Sequence, residues 1–212
     1  MPISSVNYDE VVVSLQSTYD AAVGERSRSK MAGWKRVERK RFLDALQAAG
    51  CRSLIELGAG HGRDSLFFAR KGLEVTSIDL SAGMAAACRR KGLTAFQMNL
   101  LDLTFPDASF DAVFSMNALL HVPDEKLPIA FSQIRRILKP DGLFYYGTYG
   151  GERFEGVWEE DHNNPRRFFN YYRDQELITL VDKFFELKYF RQVDVGERKS
   201  FHFQSLILAR PV

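Results

Sequence analysis

The chain has 212 residues, of which 45% are hydrophobic and 26% are charged, and this balance excludes a disordered or fibrous protein. Its formal net charge of +2 is too close to neutral to indicate nucleic acid or an anionic membrane as a partner. Cys51 and Cys88 lack the spacing of a zinc site or a disulfide framework. We expect a single domain over residues 1–212, a cytoplasmic location, no metal, no targeting segment and no membrane span.

Strands and helices are predicted to alternate along most of the chain. Residues 1–50 form an N-terminal helical cap, whose last helix over residues 34–49 ends at Gly50. Alternation of strands and helices indicates parallel βαβ units, and hence a doubly wound, Rossmann-like α/β fold with helices on both faces. The last two strands are separated only by residues 196–200 and should pair antiparallel. Predicted strands are 54–57, 73–78, 95–98, 110–115, 143–148, 187–195 and 201–209, and predicted helices are 64–71, 83–90, 128–138 and 175–185.

Three glycines stand between the first predicted strand and the helix that follows it. Gly58, Gly60 and Gly62 let the backbone turn tightly and approach a ligand closely. The next strand ends seventeen residues after Gly62 in Asp79, whose carboxylate is suited to accept hydrogen bonds from both hydroxyls of a ribose. The turn and this aspartate together predict a site for an adenosine-type cofactor.

The spacing of the glycines distinguishes two kinds of adenosine site. A dinucleotide site requires G-x-G-x-x-G, and Arg63 stands where its third glycine belongs. Instead, the stretch from Glu56 to Gly62 reads E-x-G-x-G-x-G and resembles motif I of the class I S-adenosylmethionine (SAM)-dependent methyltransferases. The alternative is that these glycines only make a turn.

Further stretches resemble the same superfamily, from about Tyr19 to the end of the chain. Two departures stand out: Asn99 replaces the usual acid beside adenine, and Thr104 replaces a proline. The matching stretches are 79–84 (D-x-S-x-x-M), 99–111 (the stretch that ends S-F-D) and 138–143 (the L-K-P turn).

The resemblance implies SAM as the cofactor and a seven-stranded, mostly parallel sheet with an antiparallel last strand. Asp79 would hold the ribose, and the Asn99 side-chain carbonyl would accept from the adenine amino group. Glu56 would lie near the SAM ammonium through a hydrogen-bonded network or water, and Tyr19 would donate to the SAM carboxylate. Met116 would lie near the methionine portion. The predicted cofactor residues are Tyr19, Glu56, Gly58, Ala59, Gly60, Gly62, Asp79, Leu80, Met84, Asn99, Leu100 and Met116.

Histidine supplies the candidate catalytic base. His121 follows the fourth predicted strand at the carboxyl edge of the sheet, and its ordinary pKa near neutrality suits a general base. The competing and favoured interpretation is a local hydrogen-bonding role. His61, within the glycine turn, is interpreted as a cofactor-side or structural residue, and His162 as a loop residue.

Residues 150–173 are the predicted substrate lid. Glycines at the base of this segment would let it move, and its aromatic residues would enclose an apolar or aromatic acceptor. The segment also resembles a G-E then R-F-F-x-Y-Y pattern in small-molecule methyltransferases, which makes Arg167, Tyr171 and Tyr172 the candidate substrate residues. A packed loop whose aromatics extend the core is the alternative.

The leading functional hypothesis is an O- or N-methyltransferase that acts on a small molecule as a monomer or homodimer. A basic run between Arg26 and Arg41 would suit RNA as an alternative substrate. Glu25 and Glu38 interrupt the run, so a solvated helix face is favoured and nucleic acid is not expected. A third hypothesis is a non-catalytic SAM-binding subunit.

Overall fold

A seven-stranded sheet forms the centre of the molecule in the computed structural model, which describes residues 7–196 and 200–211. Its strands are β1 (Ser53–Leu57), β2 (Glu74–Asp79), β3 (Thr94–Gln97), β4 (Phe110–Met116), β5 (Leu138–Gly150), β8 (Glu186–Val193) and β9 (His202–Ala209). A separate two-stranded sheet contains β6 (Phe154–Val157) and β7 (Phe168–Tyr171).

Helices precede, connect and cover these strands. They are α1 (Tyr8–Ala21), α2 (Val23–Arg28), α3 (Gly33–Ala48), α4 (Arg63–Ala69), α5 (Ala82–Arg89), α6 (Leu127–Ile137) and α7 (Asp174–Val181), with a 3-10 turn at Leu119–His121. None of the described helices combines the length and apolar character needed to cross a membrane.

The order of the main sheet is β3-β2-β1-β4-β5-β9-β8. Strands β1 to β5 pair parallel to one another, whereas β9 pairs antiparallel to both β5 and β8. The predicted fold class, including the antiparallel last strand, is therefore confirmed. The chain order reverses between β1 and β4, and open α/β sheets place their ligands at the carboxyl edge of such a switch point.

Both faces of the sheet are covered by apolar side chains. On one face, Ile55 and Leu57 pack in a cluster with α6 and α7. On the other face, Phe42 of α3 meets Phe114, whose ring stacks on Tyr145 with centroids 4.8 Å apart. Burial on both faces explains why the central strands are continuous hydrophobic runs rather than alternating ones.

The segment after β5 differs from the sequence prediction. It contains the antiparallel pair β6–β7, in which Phe154 is the register partner of Tyr171, where no strand was predicted. Strand β5 begins at Leu138, five residues before the predicted start, because a register shift between Phe110 and Ala112 lets β4 pair with the added residues. The predicted loop over residues 196–200 lies partly outside the described residues.

Candidate functional site

A cavity of about 360 Å³ opens at the carboxyl edge of the sheet, around the switch point between β1 and β4. Its walls come from the helical cap, the glycine turn, the end of β2, residues 98–100 and the end of β4. Most of the predicted site residues meet here, although they come from distant parts of the sequence. Those lining the cavity are Tyr19, Gly58, Ala59, Gly60, Asp79, Leu80, Met84, Asn99, Leu100, Met116 and His121.

The three glycines of the turn have different surroundings. All adopt left-handed backbone, with φ of +71° at Gly58, +55° at Gly60 and +79° at Gly62. A Cβ at Gly60 would meet nothing within 4 Å, so this position faces open space. A Cβ at Gly62 would lie 2.8 Å from the Cys88 sulfur. Gly62 is thus required for close packing against α5 and does not line the cavity, so its predicted contact with the cofactor stays a prediction.

Asp79 ends β2 beside the turn, with only 8% of its surface exposed. Its carboxylate accepts hydrogen bonds from the Gly60 backbone amide at 2.7 Å and the Ser81 amide at 2.9 Å. Burial raises the pKa of Asp79, and these two amides oppose the shift. Since an ionised carboxylate offers about four acceptor positions, about two remain for a ligand.

Glu56 is buried behind the turn and does not line the cavity. Its carboxylate accepts from the Ser65 hydroxyl, which in turn accepts from Ser77 at 2.7 Å. Burial raises its pKa well above the ordinary value. The structure therefore does not bring Glu56 to the ligand, and a network from it to an ammonium group stays a prediction.

His121 is held at both ring nitrogens. Nδ1 lies 2.7 Å from the Phe168 carbonyl oxygen, which can only accept, so Nδ1 carries the proton. Burial lowers the pKa of His121 to about 3, so the ring is neutral at ordinary pH and Nε2 carries no proton. Nε2 lies 2.7 Å from the Tyr19 hydroxyl and therefore accepts a hydrogen bond from it. The lone pair that a general base needs is occupied. The geometry favours the local hydrogen-bonding role, and a role of His121 as base stays a prediction.

The same bond constrains Tyr19. Its single hydroxyl proton points to His121, while its oxygen accepts from Arg167 at 3.3 Å. Tyr19 lines the cavity but has no second proton to give. Its predicted donation to the SAM carboxylate would require the bond to His121 to break and stays a prediction.

Asn99 is also engaged within the protein. Its side-chain carbonyl accepts from the Tyr8 hydroxyl at 2.9 Å and from the Leu101 amide at 3.0 Å. Both lone pairs are thus used, so the predicted acceptance from an adenine amino group requires Tyr8 to leave. Tyr8 itself lines the cavity and was not predicted.

The candidate substrate residues do not line the cavity. Arg167 forms two hydrogen bonds to Asp161, at 2.8 and 2.9 Å, and Tyr172 donates to Asp124. Tyr171 is 6% exposed, and its ring packs against those of Trp158 and Phe169. All three are engaged in contacts within the protein, which favours the packed-loop alternative, and their role as substrate contacts stays a prediction.

The basic run is divided between two environments. Part of it faces the cavity: Arg26, Lys30 and Lys35 belong to the lining, as does Arg63. Three other members form ion pairs. These are Arg39 with Asp64 at 2.7 Å, Lys40 with Asp44 at 2.8 Å and Arg41 with Glu38 at 3.7 Å. The charge run was visible in the sequence, but which members turn inward depends on how the cap packs.

Asn117 is a further lining residue that the sequence did not reveal. Its backbone is left-handed, with φ of +61°, and its side-chain oxygen is buried without a hydrogen-bond partner. A buried acceptor without a donor is costly and indicates a ligand group that donates.

Comparison with known proteins identifies the family. A family model described as a methyltransferase domain matches residues 54–142, which include the glycine turn, Asp79 and β4. This match supports the class I SAM-dependent methyltransferase superfamily. The superfamily predicted from the motifs is thereby confirmed.

Named relatives in this superfamily are varied. The chain is 32% identical to a fatty-acid O-methyltransferase of Mycolicibacterium smegmatis over 101 residues, 45% of this chain and 36% of that protein. It is 32% identical to a malonyl-[acyl-carrier protein] O-methyltransferase of Halorhodospira halophila over 130 residues, 54% of this chain and 42% of that protein. The chain thus spans less than half the length of these relatives.

A solved structure shows the same fold over the whole chain. The 1,6-didemethyltoxoflavin-N1-methyltransferase of Burkholderia thailandensis, with bound 1,6-didemethyltoxoflavin and S-adenosylhomocysteine, has a TM-score of 0.77 and 19% identity. The alignment covers 100% of this chain and 94% of that one.

The residues of the cavity fit a SAM molecule. The free acceptor positions of Asp79 suit a ribose diol, the partnerless oxygen of Asn117 suits an ammonium donor, and the open side of Gly60 admits a ligand edge. Apolar side chains that suit an adenine ring are Ile78, Leu80, Met84, Met98 and Leu100.

Proposed function

We propose that the protein binds SAM in this cavity and transfers its methyl group to an oxygen or nitrogen atom of a small-molecule acceptor. The observation that carries the proposal is Asp79, which ends β2 in the cavity wall with acceptor positions left beside the left-handed Gly60. The relative named for a fatty-acid acceptor supports a small molecule as the substrate class. A single domain that works as a monomer or homodimer is part of the same proposal.

SAM supplies a methyl group on a sulfonium, which makes positioning the main task of the protein. Asp79 and the glycine turn would fix the adenosine portion, and the cap would exclude water from the cavity. The 3-10 turn after β4 closes the wall that faces the acceptor, where Ala118 packs against Gly58. Internal hydrogen bonds hold this wall, so the residues can orient an acceptor without rearranging.

Calorimetry with S-adenosylhomocysteine (SAH) and the Asp79→Asn variant tests the proposal. We expect the variant to bind SAH about 10- to 100-fold more weakly, because a hydrogen bond to a charged group is worth roughly 1.5–3 kcal/mol. Asp102→Asn, which changes an exposed aspartate outside the cavity, should bind SAH like the wild type.

A well-folded wild-type protein without SAH affinity would exclude the proposed function. Unchanged affinity in Asp79→Asn would remove its main support. Thermal unfolding of each variant shows whether a loss of binding reflects a loss of folding.

A further inference from the structure

Two partly buried cations of the lining, Arg26 and Lys35, have neither an ion pair nor a side-chain hydrogen bond among the described residues. The Arg26 guanidinium lies 4.6 Å from the centre of the Tyr19 ring. The Lys35 Nζ atom lies 5.2 Å from the Trp34 ring centre and 5.8 Å from that of Tyr149. No described carboxylate lies within 4.0 Å of either charged group.

Other partly buried cations around the cavity are engaged within the protein: the Arg63 guanidinium donates to the Ser29 hydroxyl at 3.1 Å. Arg39 pairs with Asp64 at 2.7 Å, and Arg167 pairs with Asp161 at 2.8 Å. A partly buried cation without a counter-ion is costly, and burial accordingly lowers the pKa of Lys35, with Asp64 opposing the shift. Two such cations in one cavity indicate that ligands supply the negative charge.

The proposed cofactor supplies only one negative group. SAM carries a single carboxylate together with an ammonium and a sulfonium, so its net charge is positive. Among the cavity carboxylates, Asp64 is already paired with Arg39, which leaves Asp79. A cationic acceptor would add to an excess of positive charge, whereas an anionic one would balance it.

The imidazoles of the described lining offer no free base. Both nitrogens of His121 are hydrogen-bonded, as described above. At His61, Nδ1 accepts from the Lys91 ammonium at 2.7 Å, so a neutral ring carries its proton on Nε2. Burial lowers the pKa of His61 to about 4. An acceptor that must lose a proton would find no imidazole to receive it, whereas a carboxylate is ionised at neutral pH without help.

We propose that Arg26 and Lys35 bind two carboxylates, one of SAM and one of the methyl acceptor, and that this acceptor is a small-molecule carboxylic acid, methylated on oxygen. This inference rests on the proposed function. A lone pair of the carboxylate oxygen forms the bond to the methyl carbon, and the pair of the breaking carbon–sulfur bond stays on sulfur. The products are a methyl ester and SAH, and no proton is transferred.

Binding to the SAH-loaded protein tests the acceptor class. Octanoate and phenylacetate are titrated calorimetrically beside octanamide and phenylacetamide, which match them in shape but lack the charge. We expect at least one acid to bind 10-fold or more tightly than its amide. Mass spectrometry with SAM should then detect the methyl ester of that acid and no methylation of its amide.

Variants identify the cation that holds the acceptor. Lys35→Gln and Arg26→Gln are titrated with SAH, with 5′-methylthioadenosine, which lacks the amino-acid portion, and with the acid. If a variant binds SAH more weakly but binds 5′-methylthioadenosine like the wild type, it has lost the contact to the cofactor carboxylate. We expect the other variant to bind the acid 10-fold or more weakly and to bind SAH with an affinity within 2-fold of the wild-type value.

Two controls separate charge from other roles. Lys40→Gln, on the same helix but exposed and paired with Asp44, should leave every affinity unchanged. Lys35→Arg keeps the charge, but its guanidinium cannot lose a proton near neutral pH, so the variant should retain acid binding and ester formation. Because Lys35 has no ion pair, its glutamine variant should unfold at the wild-type temperature or higher.

The outcomes that overturn the inference are distinct from those that overturn the proposed function. Acids that bind no better than their amides, loss of ester formation in Lys35→Arg, or faster methylation of neutral amines would each exclude the carboxylate site. The proposed function would stand in these cases, because SAH would still bind. Absence of SAH binding by the wild type would exclude the proposed function itself.

Discussion

Gly58 and Gly60 share a left-handed backbone, but only one of them is close to another chain segment. A Cβ at Gly58 would lie 2.4 Å from the Cβ of Ala118, whereas Gly60 has open space. Gly58 therefore fixes the approach of the glycine turn to the segment after β4, and Gly60 leaves room for a ligand. Motif resemblance assigned both residues to cofactor binding and did not separate these two requirements.

Alanine at these two positions should affect different properties. Gly58→Ala combines left-handed strain with a steric clash, so we expect it to lower the free energy of unfolding by about 2–4 kcal/mol. Gly60→Ala should cost only about 1–2 kcal/mol of stability through backbone strain. Its added methyl group would occupy part of the cavity and should weaken the binding of SAH. Urea denaturation and SAH calorimetry check both effects. Equal stability losses in the two variants would contradict this distinction.

At the scale of elements, helix α1 holds the cavity wall together. Asp20 accepts from the Ser81 hydroxyl and from the Gly83 amide, which anchors the start of α5 directly after Asp79. Thr18 donates to the Pro165 carbonyl at 2.7 Å and so joins the helix to the segment between β6 and β7. The helical cap predicted over residues 1–50 thus holds α5 and the segment between β6 and β7 in place, in addition to covering the cavity.

The Tyr8→Phe variant tests how α1 competes with a ligand. Burial raises the pKa of Tyr8 to about 12, so its hydroxyl stays protonated and donates to Asn99. Removing it should cost about 1 kcal/mol of stability and free the Asn99 carbonyl for an adenine amino group. We expect SAH to bind several-fold more tightly by calorimetry.

Tyr189→Phe is the matched control, because its buried hydroxyl has no partner among the described residues and lies away from the cavity. Weaker SAH binding in Tyr8→Phe would instead indicate that the Tyr8 hydroxyl contacts the ligand itself.

At the scale of the whole molecule, the alternating elements were predictable because strands buried on both faces leave hydrophobic runs. The β6–β7 pair was missed because residues 158–167 separate its strands, and no local pattern specifies that pairing. The same limit applies to the site. Motifs placed Asp79 at a strand end, but the bond between Tyr19 and His121 joins residues 102 positions apart and depends on tertiary packing.

Global stability should depend on pH through His121. Its pKa is about 3 in the folded state and near 6.5 in an unfolded chain. Between these values the unfolded state binds a proton that the folded state does not, so the free energy of unfolding falls as the pH falls. Glu56 has the opposite effect on the free energy of unfolding. Burial raises its pKa, so as the pH falls the folded state binds this proton before the unfolded state does.

A comparison of variants isolates the histidine contribution. From about pH 7.5 to pH 5, His121→Gln should lose less unfolding free energy than the wild type in urea denaturation, since it lacks the titrating ring. His162→Gln, which changes an exposed histidine, is the control and should follow the wild type. If the free energies of unfolding of His121→Gln and the wild type changed with pH in parallel, this pH dependence would not come from His121.

The position of β9 has a consequence for how the chain is made. This strand lies between β5 and β8, although it is the last of the three to be synthesised. Until it leaves the ribosome, the nascent polypeptide presents β5 and β8 with unpaired backbone edges, the type of surface on which aggregation begins. These edges therefore stay available for wrong pairing until residues 202–209 can insert between them.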